Sequence, residues 1–130
     1  MPRLPRIHIS NALYYITANG NLGENIFLDE KDYAMYAELL KKYKEQYGFR
    51  LFSFCLIPGT LSLLFELKGE EDSVSMVMHD INSSYTRYFN GRYNRRGHLF
   101  RERFKSVIVE KGPYLAKVLR YIHQRPRILG

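Results

Sequence analysis

The sequence predicts an α+β fold, an antiparallel sheet with helices packed on one face. Three observations carry this expectation. The β-rich and helical segments follow one another in the order β-α-β-β-α-β-α. The 130 residues suffice for one packed core. The composition, 45% apolar and 15% aromatic, is that of a folded globule.

Each element has a local reason. Leu13-Tyr14-Tyr15-Ile16-Thr17 is rich in β-formers and ends in Asn19-Gly20-Asn21, a turn signal. Asp29 is placed to cap a helix from 30 to 46. Tyr33, Tyr36, Ala37, Leu40 and Tyr43 recur there at three-to-four spacing, and Gly48 ends it. Residues 49–57 are nearly all apolar and predict a strand at the centre of the sheet. Pro58-Gly59 breaks that strand, and 60–67 form the next, with Leu61, Leu63, Phe65 and Leu67 on one side and Thr60, Ser62, Leu64 and Glu66 on the other. After the acidic loop 69–72, a second helix spans 73–89 with Val74, Val77, Ile81, Tyr85 and Tyr88 or Phe89 inward. A basic loop occupies 90–97, and 104–109 alternate as a fourth strand. Gly112-Pro113 then opens a last helix over 114–124, with Pro126 beyond its end. This order is that of a ferredoxin-like or RRM-like sheet. With no repeat, low-complexity tract or linker, residues 1–130 are expected to form a single domain.

Charge is the informative global property. The net charge is +7, yet residues 1–80 hold eight Lys/Arg against eleven Asp/Glu, whereas 81–130 hold twelve against two. Residues 85–105 alone carry seven basic residues, one acid and six aromatics. Basic side chains neutralise phosphates and aromatic faces stack on unpaired bases, so the interleaving points to nucleic acid. The alternative is a solvated basic face with its aromatics in the core. No apolar run approaches the ~20 residues that a membrane-spanning helix needs, and no secretory signal is evident. The one cysteine, Cys55, sits in an apolar run and reads as a buried small residue of a cytoplasmic protein. The four histidines, His8, His79, His98 and His123, are not spaced to share a metal within one element, and His79 reads as a surface residue.

Several segments, in order, resemble the single-tyrosine transposases of the HUH class, in particular the REP-associated tyrosine transposase branch. They are Pro2-Arg3 with Asn11 to Asn21, Tyr85-Thr86-Arg87-Tyr88-Phe89-Asn90, Gly97-His98-Leu99-Phe100-Arg101-Glu102-Arg103-Phe104-Lys105, and Tyr114-Leu115 with Arg120-Tyr121-Ile122-His123 and Pro126. The third is close to the family pattern GHLF-x-x-RFK and is the most specific. The resemblance implies a DNA partner, single-stranded or hairpin, and a homodimer. It also implies a magnesium or manganese ion held by a His-apolar-His pair and an amide side chain. A tyrosine of the last helix would attack the scissile phosphate, leaving a 5′-phosphotyrosine link.

The chain departs from that pattern at the metal. Where the family carries Asn-His-x-His-Leu-Leu after Leu-x-Pro, this chain reads Gly59-Thr60-Leu61-Ser62-Leu63-Leu64. Thr60 and Ser62 thus replace both imidazoles, and neutral hydroxyls are poor ligands. Tyr121 matches the nucleophile, but Arg125 stands where the amide belongs, a side chain suited to a phosphate and unable to ligate a metal. No metal or other cofactor is therefore expected. The expected phosphate contacts are Arg87, Arg92, Arg95, Arg96, His98, Arg101, Arg103, Lys105 and Arg125. Three readings stay open: a DNA-binding protein with a decayed nuclease centre, a working transposase acting through Tyr121, and an RNA-binding module.

Overall fold

The computed structural model describes residues 12–67, 71–101 and 103–109. Along the chain come β1 (Ala12–Asn19), a 3-10 turn (Asn21–Gly23), α1 (Glu30–Tyr47), β2 (Arg50–Ile57), β3 (Thr60–Leu67), α2 (Glu71–Tyr93) and β4 (Lys105–Val109). The expected helix over 114–124 lies outside the described residues. The strands form one sheet in the order β2-β3-β1-β4, with every neighbouring pair antiparallel. This is the ferredoxin-like arrangement that the element order predicts.

Two expectations are corrected. β2 is an edge strand, and β1 and β3 are the central ones. Its apolar run reflects contact with cores on both faces, Leu56 on the helix side and Cys55 on the other, and not a central place in the sheet. A register shift between Leu51 and Ser53 interrupts its pairing with β3, a device common at sheet edges. The second helix also runs on to Tyr93, a full turn into the expected loop. That extra turn places Arg92 and Tyr93 over the start of α1.

The alternation along β1 and β3 divides the sheet into two faces. Tyr14, Ile16 and Ala18 of β1 and Leu61, Leu63, Phe65 and Leu67 of β3 join Tyr36, Leu40, Val77, Ile81 and Tyr85 of the helices in the main core. On the opposite face Leu13, Cys55, Leu64 and Val109 form a smaller buried cluster beside Tyr15 and Ile57.

The two helices pack through tyrosines whose rings are apolar contacts and whose hydroxyls find polar partners on the neighbouring helix. Tyr36 donates to Asn82 Oδ1 (2.8 Å), the Tyr43 and Ser84 hydroxyls share a bond of 2.8 Å, and Tyr47 donates to Asp80. At the other end the hub is Asp32, which is fully buried. Its Oδ2 accepts from Tyr93 OH (2.6 Å) and Leu28 N (2.8 Å), and its Oδ1 accepts from Tyr88 OH (2.7 Å) and Arg92 Nη1 (2.8 Å). Arg92 also grips both oxygens of Asp29, at 2.7 and 2.6 Å. Asp29 is the N-cap of α1 and accepts from the amides of Lys31 and Asp32. Gly48 ends the helix in the left-handed conformation (φ 74°) that glycine adopts at no steric cost.

Burial raises the Asp32 carboxyl pKa, but bonds from Tyr93, the Leu28 amide, Tyr88 and Arg92 together outweigh it and hold the group below the ordinary carboxylate value of 3.8. The Arg92 hydrogen bond likewise lowers Asp29. A depressed carboxylate contributes stability that is present above its unfolded pKa and is lost as pH falls through the folded one. Asp32→Ala is expected to cost about 3 kcal/mol, because it leaves three part-buried donors, Leu28 N and the Tyr88 and Tyr93 hydroxyls, without their acceptor. Urea melts recorded between pH 7 and pH 2 test this. The natural chain should lose stability steeply below about pH 4, and the variant should start lower and fall less.

Candidate nucleic-acid interface

The segment from Gly97 to Arg101 has no regular structure of its own and is held by the end of β1. Asn21 N donates to Leu99 O (2.8 Å), Arg101 N donates to Asn19 O (2.8 Å), and Gly20 bridges Phe100. Leu99 is fully buried in the main core, and the Phe100 ring lies 6.2 Å from that of Tyr85. The turn at Gly20 depends on its missing side chain, since a Cβ there would stand 2.0 Å from the carbonyl oxygen of Glu24. Gly20 N also donates to Gly59 O (3.0 Å), which ties the β1 end to the β2–β3 turn.

Docked this way, the segment stands off α2 and leaves a groove of about 660 Å³ between them. One wall is the outer stripe of α2, with Ser75, His79, Ser83, Thr86 and Arg87. The other carries His98 and Arg101. Met78, Leu99, Phe100 and Phe104 make an apolar floor. Three of the expected contact residues, Arg87, His98 and Arg101, therefore share one groove. His79 joins them, although the sequence marks it only as surface. Its signal is the polar recurrence at three-to-four spacing from Ser75 through His79, Asn82 or Ser83 to Thr86, beside the buried stripe.

The remaining expected contacts divide by what already holds them. Arg92 is fully occupied by Asp29 and Asp32, so its charge is spent inside the fold. Its guanidinium, expected at a phosphate, here pairs within the fold. Arg95 pairs with Glu24 (2.8 Å), donates to Asn90 Oδ1 (2.8 Å) and lies over the Phe89 ring. That anchors the basic loop to the 3-10 turn and leaves little of its charge for a phosphate. Arg87, Arg96, Arg101, Arg103 and Lys105 are exposed, and none has a carboxylate partner among the described residues. The aromatics interleaved with them mostly face inward. Tyr85 and Phe89 are buried, and Tyr88 and Tyr93 serve Asp32. Only Phe100 and Phe104 reach the groove. The alternative of a basic face with most of its aromatics in the core thus describes Tyr85, Tyr88, Phe89 and Tyr93, which the helical period turns inward.

Thr60 and Ser62 lie on the sheet face opposite the helices, opposite Asn19 and Thr17 of β1 in the register. Thr60 Oγ1 donates to Asn19 Oδ1 (2.9 Å), and the Tyr15 hydroxyl points at Ser62 Oγ (3.5 Å). Ser62 is fully buried. The side chains are neutral and lie within the sheet's own hydrogen-bonding pattern. Glu66, further along the same face, has Arg50 at 3.8 Å. At the two positions themselves the donors are neutral hydroxyls already engaged within the sheet, poorer ligands for a catalytic divalent cation than the imidazoles of the family pattern. Among the described residues no group of three or more His, Cys, Asp or Glu converges on a point. Tyr121 and Arg125 lie outside the described residues. No described helix is long and apolar enough to cross a membrane.

A family model described as "Transposase IS200 like" matches residues 10–125. No curated protein matches the chain. Solved structures share its fold, two of which are transposases. A REP-associated tyrosine transposase bound to a REP hairpin superposes with a TM-score of 0.70 at 17% identity, covering 95% of this chain and 71% of that one. A candidate transposase from Deinococcus radiodurans R1 superposes with a TM-score of 0.63 at 14% identity, covering 93% and 95%.

The Gly20 turn makes a direct prediction. Gly20→Ala should destabilise the fold by about 2 kcal/mol, the usual scale of an overpacked site. It should also speed amide hydrogen exchange at Asn21 and Arg101, whose bonds pin the groove wall. Unchanged exchange at those two amides would show that the wall does not depend on this turn.

Proposed function

Because the chain belongs to the IS200-like transposase family, we propose that it binds DNA through the groove face of α2 and the 97–105 segment, and that its strand-cleaving centre is degenerate. The observation that supports the second half is the Thr60–Asn19 bond beside buried Ser62, at the two positions where the family pattern places histidines. Without a cation, phosphoryl transfer loses its main stabiliser of developing negative charge, a term of several kcal/mol. The first half is supported by five exposed basic side chains, Arg87, Arg96, Arg101, Arg103 and Lys105, that lack carboxylate partners among the described residues. A hairpin or single-stranded DNA is the partner we assign, in keeping with the hairpin bound by the structurally similar REP-associated transposase.

Binding is tested by titrating a hairpin oligonucleotide at several salt concentrations. Arg96→Ala with Arg101→Ala should weaken affinity and reduce the salt slope by about 1.5 to 2 units, close to one per lost phosphate contact. Arg92→Ala should instead lower the melting temperature. An unchanged slope in the double variant would place the DNA elsewhere.

Chemistry is tested by trapping a covalent adduct on single-stranded DNA with magnesium present. The natural chain should form none. Thr60→His, Ser62→His and Arg125→Gln together rebuild the family's ligand set. That triple variant should form an adduct which Tyr121→Phe abolishes. A metal-dependent adduct at Tyr121 of the natural chain would overturn the degenerate reading.

A further inference from the structure

We infer that Leu22 is an apolar wedge that packs against the uncovered base-pair face at the open end of a DNA stem. This rests on the DNA-binding reading above and adds to it a specificity-determining residue outside the groove. Leu22 is 88% exposed, more than any other large apolar side chain among the described residues, and it has no place in either core cluster. Its backbone is left-handed (φ 54°, ψ 29°). Among the described non-glycine residues only Asn94 shares a positive φ. Asparagine enters that region readily, whereas a side chain such as leucine is disfavoured there. Two unfavourable features thus coincide at one residue, an apolar side chain in water and a strained backbone. Strain of this kind persists where the surroundings fix it, and it clusters at ligand contacts.

The surroundings do fix it. Gly23 N donates to Gly20 O (3.3 Å) and Glu24 N to Asn21 O (3.0 Å), which closes the turn around Leu22. Asn21 N reaches Leu99 O (2.8 Å) and Glu24 pairs with Arg95 (2.8 Å), so the residues on both sides of Leu22 rest on the basic segment. The leucine is therefore presented on a preorganised turn next to a stretch with exposed Arg96, His98 and Arg101. Glu24, the nearest acid along the chain, is engaged by Arg95 and offers a phosphate little repulsion. The chemistry then selects the DNA feature. Phosphates suit the arginines, and an apolar side chain suits the face of a base. Insertion between two stacked pairs costs about as much as the burial of one leucine contributes. A stem end has one pair face already uncovered, so packing on it adds the burial without that cost. One apolar side chain at the tip of a three-residue turn matches one such face.

The test uses the full chain and two DNAs that share one stem, titrated by fluorescence anisotropy. One is a hairpin with a blunt open end, and the other is a dumbbell closed by a loop at both ends. The natural chain should bind the hairpin about tenfold more tightly, the lower end of what burying one leucine contributes. Leu22→Asn should bind both DNAs as the natural chain binds the dumbbell, with an unchanged salt slope because no phosphate contact is lost. The same variant should melt about 3–5 °C higher, since asparagine relieves the left-handed strain. A gain in stability joined to a loss of end binding is a combination that a merely structural residue does not give. Leu22→Phe, which keeps an apolar face, should retain the preference. Equal binding of hairpin and dumbbell by the natural chain would overturn the wedge while leaving DNA binding intact. So would a Leu22→Asn variant that keeps the preference, or one that melts lower and loses affinity for both DNAs in parallel. Failure of the natural chain to bind either DNA would overturn the DNA-binding reading itself.

Discussion

The structure depends on one buried carboxylate. Asp32 lies in the first turn of α1 with no exposure to water, and its two oxygens gather two tyrosine hydroxyls, a backbone amide and a guanidinium. A charge so placed is tolerable only when fully hydrogen-bonded. Meeting that demand fixes where α2 must run. Tyr88, Arg92 and Tyr93 reach Asp32 only if the helix continues past residue 89. The extra turn then sets the start of the basic loop, and Arg95 fastens that loop to Glu24. The placement of the groove follows from the same chain of contacts.

Tyrosine is the residue that makes this packing possible. Phenylalanine at positions 36, 43 and 47 would fill the same space but leave Asn82, Ser84 and Asp80 facing an apolar neighbour. The hydroxyls let α1 and α2 pack closely through a seam that is polar at its centre line. Eleven tyrosines and no tryptophan suit a helix pair with that kind of seam. Part of the aromatic content of the basic region is used in the same way and is therefore not offered to a ligand.

The two faces of the sheet carry different parts of the reading. On the helix side, Arg87 and Arg101 share a groove with an apolar floor, a combination that suits a nucleic acid. On the other side, hydroxyls occupy the positions where the family pattern carries metal ligands, and the sheet's own side chains engage them. The residues at 60 and 62 and the residues that line the groove are separate, so either set can change without the other. The alternation of β3 places Leu61 and Leu63 in the core whichever residues occupy 60 and 62.

The sequence by itself determined the element order as far as β4, the strand alternation, the caps of α1 and the departure at Thr60 and Ser62. These are properties of neighbouring residues, set by periods of 2.0 and 3.6 and by capping chemistry. It also determined that the basic charge lies after residue 80. Tertiary structure decided how that charge is used. Arg92 and Arg96 are alike in sequence, both arginines in a basic aromatic stretch. One is consumed by Asp29 and Asp32, some 60 residues away, and the other is exposed. The edge position of β2 was likewise hidden, because an apolar run reports burial on both faces and says nothing of hydrogen-bonded neighbours. The groove was invisible for the same reason. Its walls come from α2 and from a segment pinned by the end of β1, and no local pattern records that those backbones meet. Local rules reach a few residues along the chain, whereas ion pairing and docking are settled by long-range contacts that only the folded chain creates.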